Sequence, residues 1–188
     1  GIVACLIFWG AQDTTAPAGD LINGILAGLV AVTASANVIT PLGSVIIGAG
    51  GGLVALYVTR LLERFELDDP VGAIPVHLAA GIFGTLVLPF FAAEEHLIGN
   101  ENLTEHTGNL RVDQFIAQLI GIISVGLYTF FGSYILLNVI NNYSPLRVSK
   151  EDEDIGLNIA EHDSGSDQID LLNMMQYQKD TGDLSVRG

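Results

Sequence analysis

The chain has 188 residues, 49% apolar and only 15% charged, with 7 Lys and Arg against 21 Asp and Glu for a formal charge of −14. Mean hydropathy is +0.48, and the charges gather in loops and at the C-terminus instead of spreading over a surface, which excludes a soluble binding module and marks bilayer spans. Much of the negative charge lies in a tail beginning at Glu151, there is no basic patch to hold nucleic acid, and the single Cys5 can form neither an intrachain disulfide nor a Cys-based metal site.

Gly1–Trp9 is apolar but shorter than the roughly 20 residues that cross a hydrocarbon core. Without an initiating Met, a charged n-region or a cleavage site it is not a signal peptide, and it reads as the end of a truncated helix. Four stretches of membrane length follow: Leu21–Val38, Pro41–Thr59, Val71–Ala93 and Gln114–Val139, none containing Asp, Glu, Lys or Arg. The expectation is an all-α, polytopic transmembrane helix bundle of at least four spans.

The connections orient it. Arg60 and Arg64 follow the second span and Arg147 and Lys150 the fourth, whereas the Ala93–Asp113 loop carries only Arg111 against several acids. The positive-inside rule therefore puts the Arg60/Arg64 loop and the C-terminal tail in the cytoplasm and the Ala93–Asp113 loop outside. His96 and His106 in that outer loop read as solvated histidines and are assigned no function.

Small residues recur at four-residue spacing, Gly24 and Gly28 in the first span and Gly48 and Gly52 in the second, with Gly81 and Gly84 in the third. Such spacing lets helix backbones approach closely, which drives association in lipid, where no hydrophobic effect operates between helices. On an α-helix Gly81 and Gly84 share a face with His77 at i+4 and i+7, so His77, Ala73 and the two glycines are expected to face the bundle interior, with Phe83 and Phe90 pointing elsewhere. Asp68-Asp69-Pro70 is expected to open this helix with Asp69 as its cap and Pro70 at the first helical position.

His77 is the only ionisable side chain in its span. Two readings stay open from the residues alone: a histidine that bonds a neighbouring helix, and one that handles a transported species or its proton. No Ser/His/Asp, phosphate-loop or metal-ligand spacing occurs. The reading is of a protein that is not an enzyme, with no cofactor.

The string Asp68-Asp69-Pro70-Val71-Gly72-Ala73-Ile74-Pro75-Val76-His77 with Gly81 and Gly84 resembles the ammonium transporter (Amt/Mep/Rh) family. So do Asn23-Gly24-Ile25-Leu26-Ala27-Gly28-Leu29-Val30-Ala31-Val32-Thr33 with Pro41-Leu42-Gly43-Ser44-Val45-Ile46-Ile47-Gly48, and Leu146-Arg147-Val148 followed by an acidic stretch and Gly156-Leu157-Asn158-Ile159-Ala160-Glu161-His162. The resemblance runs in register from about Leu21 to His162 and implies the last four to five helices of an eleven-helix fold, with an outside N-terminus and a cytoplasmic C-terminus. It implies passage of ammonium or ammonia across the cell membrane through a histidine-lined hydrophobic pore, in a multi-pass subunit that assembles as a homotrimer. His77 stands at the position of one of two pore histidines, whose partner belongs to an earlier helix. Thr33 matches a position near the pore, with back-bonding to its own helix as the alternative reading. Leu78 follows the histidine where glycine is common in relatives, and Pro75 sits two residues before it.

The domain reading that results is a transmembrane region over residues 1–145, truncated at its N-terminus, and a cytoplasmic regulatory region over 146–162. The resemblance makes the latter a site of coupling to gating and to a PII-type regulator. Residues 163–188 read as a linker or the start of a further cytoplasmic domain, since Asp163-Ser164-Gly165-Ser166-Asp167 is polar and Ile169 to Tyr177 places apolar residues at near-helical spacing. An ammonium sensor that couples the transporter-like region to an attached signalling domain is therefore the alternative to a transporter, and a disordered tail the alternative for the segment itself.

Overall fold

The computed structural model describes residues 1–97, 108–155, 175–177 and 179, and among these every regular element is helical. The chain divides into two units, Gly1–Tyr128 and Thr129–Gly188.

The first unit contains α1 (Ile2–Gly10), α2 (Ala18–Thr33), α3 (Pro41–Arg64), a π-helical turn (Ile74–Ala79) that runs into α4 (Ala80–Phe91), a short turn at Glu94–His96, and the start of α5 (Leu110–Tyr143). Three helical stretches, Pro41–Arg64, Ile74–Phe91 and Leu110–Tyr143, are long and apolar enough to cross a membrane. The first expected span is shorter than its sequence window, because α2 has 16 residues and ends at Thr33, not Val38. Small and polar residues take over there: the Ser35 N–H and hydroxyl both donate to Val32 O, at 3.1 and 3.4 Å, and Val38 N–H donates to Ser35 O at 2.9 Å. Serine and asparagine offer the backbone such local partners in place of helix bonds. α3 then restarts cleanly, with Thr40 as N-cap accepting from Gly43 N–H at 3.2 Å and Pro41 at the first position, where its missing N–H costs nothing.

The core is made of small side chains. Ala27 and Ala31 on α2, Ile47 and Ala55 on α3, and Val76 and Ala80 along the π turn and α4 are buried together, with Phe83 and Phe91 packed at the edge. Alanine and glycine in facing positions allow backbone-to-backbone contact: a Cβ on Gly51 would sit 2.6 Å from Ala31 Cβ and 2.7 Å from Ala27 O. Gly84 abuts the Ala31 carbonyl in the same way. A second cluster of Leu88, Ala92 and Leu97 packs with Val38 near the far end of α4.

α5 joins this unit through its first turns. Gln114 is its buried residue, and Phe115 lies 6.0 Å from Phe90, centroid to centroid. The Arg111 guanidinium donates to the carbonyls of Pro89 and Ala92, the latter at 3.2 Å, and so meets the negative end of α4.

In the second unit, Phe130 stacks on Tyr134 and meets Phe131 edge-on. Asn141 closes the end of α5 by accepting from Leu146 N–H at 3.0 Å. Ser149 opens α6 (Lys150–Ile155), accepting from Asp152 N–H at 3.1 Å and donating to its carboxylate at 2.6 Å. Most of the expected regulatory region, from residue 156, and the segment over 163–174 lie outside the described residues; residues 175–177 are helical.

Candidate functional site

The approach to His77 begins one loop earlier. Gly72 N–H donates to Asp69 O at 3.1 Å, making Asp69-Pro70-Val71-Gly72 a turn, and Gly72 has φ +68. A side chain is disfavoured there twice over, by the left-handed backbone and because a Cβ would lie 2.5 Å from the Asn23 amide. The Asp69 carboxylate then accepts from Ala73 N–H at 2.9 Å and Ile74 N–H at 2.8 Å, satisfying two donors that the helix start leaves open. Asp69 thus caps the helix as expected, but the helix starts at Ala73, so Pro70 is a turn residue and not the first helical one.

From Ile74 to Ala79 the backbone is π-helical, and Ala80 N–H reaches back five residues to Pro75 O. A π turn holds more residues than the 3.6 of an α turn, which shifts every side chain before it relative to those after it. Pro75, Val76 and Ala80 are buried, Gly84 is buried, Gly81 is half-buried, and His77 is exposed together with Ala73, Ile74 and Leu78. His77 and the two glycines therefore differ in burial within this chain, with Gly84 covered and His77 open. The glycines turn toward α2, where a Cβ on Gly81 would be 3.7 Å from Val30, while His77 stands on the outer side of the π turn. Phe83 does not point away either, because its ring covers Gly50. Phe90 is exposed.

The remaining predicted residues fall into place individually. Thr33 is exposed, and its hydroxyl donates to Leu29 O at 2.8 Å, the back-bonding geometry. Gly24, Gly28, Gly48 and Gly52 form one seam between α2 and α3 that receives the start of α1. A Cβ on Gly28 would lie 3.0 Å from Gly48 O, one on Gly52 2.8 Å from the Gly1 backbone, and one on Gly24 would overlap Cys5 Sγ. Gly48 is looser, 3.7 Å from Gly28 O and Val32.

Chemically, the outer side of the π turn is an apolar strip with one imidazole, which can donate and accept a hydrogen bond and carry a proton. Two further groupings were not read from the sequence. Arg111 caps α4, although its charge alone had suggested only topology. Arg60 lies under the rings of Phe8 and Trp9; aromatic residues at a helix end facing an arginine are the signal that points to it.

The profile of the Ammonium Transporter Family matches residues 1–166. This chain belongs to the ammonium transporter family. The Synechocystis sp. protein sll0537 is 40% identical over 177 residues, covering 94% of this chain. Ammonium transporter Amt2 of Archaeoglobus fulgidus is 37% identical over 163 residues, covering 86%. The solved structure of a Sensor Amt Protein superposes with a TM-score of 0.72 at 36% identity over 85% of the chain. The chain spans about a third of the length of these proteins, 31%, 35% and 38% respectively. Family membership makes this a helical membrane protein, as its apolar helices require.

Proposed function

We propose that the chain forms part of a pathway for ammonium or ammonia across the cell membrane, with His77 on its wall and Thr33 as a second lining group. The observation that carries this reading is the position of His77, the one titratable side chain in Ile74–Phe91, exposed in the first turn of that apolar stretch. Ionisable groups in a span face protein or a water-filled cavity, not lipid. The face bearing His77 is accordingly the one on which further protein packs to complete the pathway, and in this reading a second histidine from an earlier helix meets it there.

An apolar bore strongly disfavours an intact cation, so the proton and the neutral ammonia are handled separately. An imidazole suits that task because it can accept a hydrogen bond from ammonia at one nitrogen and exchange a proton at the other. The π turn presents His77 outward while Val76 and Ala80 stay buried, and the Asp69 cap anchors the start of the helix. The orientation that goes with this reading puts the Arg60/Arg64 end and the tail in the cytoplasm, and the assembly is a homotrimer with the cytoplasmic tail open to a PII-type regulator.

A chimera tests the function. Residues 18–143 replace the corresponding helices of the Archaeoglobus relative, and ammonium uptake is measured in cells lacking their own transporters. Uptake by the chimera supports the reading. A membrane-inserted chimera that takes up no ammonium contradicts it.

The likeness to a Sensor Amt Protein favours a second reading, in which the same helices report ammonium to an attached signalling domain. The gene sequence after Gly188 separates the two: a signalling domain there supports the sensor, and a stop codon the transporter.

A further inference from the structure

We propose that the π turn over Ile74–Ala79 carries one surplus residue that positions His77, a proposal that rests on the reading of His77 as a pathway residue. The burial pattern reveals the surplus. Successive side chains on an α-helix are turned by about 100°. Counted back from the buried Ala80, an uninterrupted α-helix would bring Ala73, Val76 and His77 within about 60° of it, and would carry Ile74 and Pro75 about 120° or more away. The chain instead buries Pro75 and Val76 and exposes Ala73, Ile74 and His77. Discounting one residue between Val76 and Ala80 reproduces all four upstream positions: Pro75 and Val76 then fall within about 60° of Ala80, and Ala73 and Ile74 at about 120° or more. The bond from Ala80 N–H to Pro75 O, one residue longer than an α-helical bond, is that insertion in the backbone.

Both flanks are held, so the surplus cannot be passed along the helix. Upstream, the Asp69 carboxylate accepts from Ala73 and Ile74 N–H at 2.9 and 2.8 Å, and Gly72 lies against the Asn23 amide. Val76 sits in one core with Ala27 and Ala31. Downstream, Ala80 shares that core and Gly84 abuts the Ala31 carbonyl. His77, Leu78 and Ala79 therefore share an arc in which an α-helix has room for two residues, with His77 and Leu78 exposed. In α-helical register with Ala80, the imidazole would instead enter a contact made of alanine and glycine, where a larger side chain is costly. Single π turns inside α-helices are rare and recur at functional sites. Here the turn lies at the one ionisable side chain of the span.

Deleting Ala79, the smallest of the three, tests the proposal in the chimera that carries residues 18–143. The deletion removes the surplus, leaves both flanks in register and lets the turn close as α-helix, with His77 two residues before Ala80 on the far side of the helix. Deleting Ile82, from the regular part of α4, is the control, because it turns Ala80 by about 100° against Gly84. Without Ala79 the chimera should assemble and melt at or above its parent. Its ammonium-evoked current should fall by roughly a hundredfold, the scale of a reacting group misplaced by an ångström, or change its pH dependence. Without Ile82 it should melt below the parent. An Ala79 deletion that melts below the parent overturns the surplus residue, and so does an Ile82 deletion as stable as the parent. A well-assembled Ala79 deletion with the parent's current and pH profile overturns the positioning role. A parent chimera that carries no current counts against the pathway reading instead, and the two melting comparisons still decide whether the surplus residue exists.

Discussion

Gly84→Ala should destabilise the helix bundle even though alanine is the better helix former. The added methyl would overlap Ala31 O and lie 2.6 Å from Ala31 C and 2.7 Å from Ala31 Cα. Carbon atoms in contact normally sit about 3.5–4.0 Å apart. All three obstacles are backbone atoms, so no rotamer change relieves them and α2 and α4 must separate by roughly 1 Å at this point. Helix propensity returns about 1 kcal/mol, and forcing a methyl into a well-packed contact costs about 1–3 kcal/mol. That cost includes the loosening of Ala27, Ala31 and Ala80, which share one core, so the net loss should reach up to about 2 kcal/mol, or about 1–3 kcal/mol relative to a substitution that gains the propensity alone. Gly121→Ala is the control, because a Cβ there meets nothing within 4 Å, and it should be neutral or stabilising by up to about 1 kcal/mol. Thermal loss of helical circular dichroism in detergent micelles compares the two. If Gly84→Ala melts with or above Gly121→Ala, close backbone contact is not what joins α2 to α4.

Asp69→Ala removes both acceptors for Ala73 and Ile74 N–H and should cost about 1–2 kcal/mol in the same melting assay, with Asp69→Asn losing less. Thr33→Val should slow ammonium uptake by the chimera less than about tenfold, the equivalent of one neutral hydrogen bond, because its hydroxyl already serves Leu29 O. For topology, a thiol reagent applied outside the cell should label Glu95→Cys at once and Lys150→Cys only after permeabilisation; Cys5 is fully buried and contributes little background. The reverse pattern would overturn the proposed orientation.

Much of the fold was legible because the bilayer imposes a simple grammar. Uncharged runs of membrane length gave three long helices, and the glycine spacing gave the α2–α3 seam. Asp69 was readable as a cap because its chemistry is local. The end of α2 was not, since Ala34 to Asn37 are compatible with helix by hydropathy and depart from it through bonds made by Ser35. The exposure of His77 was not legible for a different reason. It depends on what packs against the helix, and the chain spans about a third of its relatives' length; the π turn over Ile74–Ala79 also lies outside a reading at 3.6 residues per turn. The Arg60 and Arg111 contacts depend on which helix ends meet, information that span reading does not contain.

The central claim is that His77 lines the ammonium pathway and handles its proton. The most direct measurement is ammonium-evoked current from proteoliposomes containing the chimera with His77→Ala, with oligomeric state determined on the same preparation. The account predicts correctly assembled protein in which current falls by roughly a hundredfold, the scale of a lost proton-transfer group, or changes its ion selectivity. Wild-type current and selectivity from a well-assembled His77→Ala preparation would contradict it.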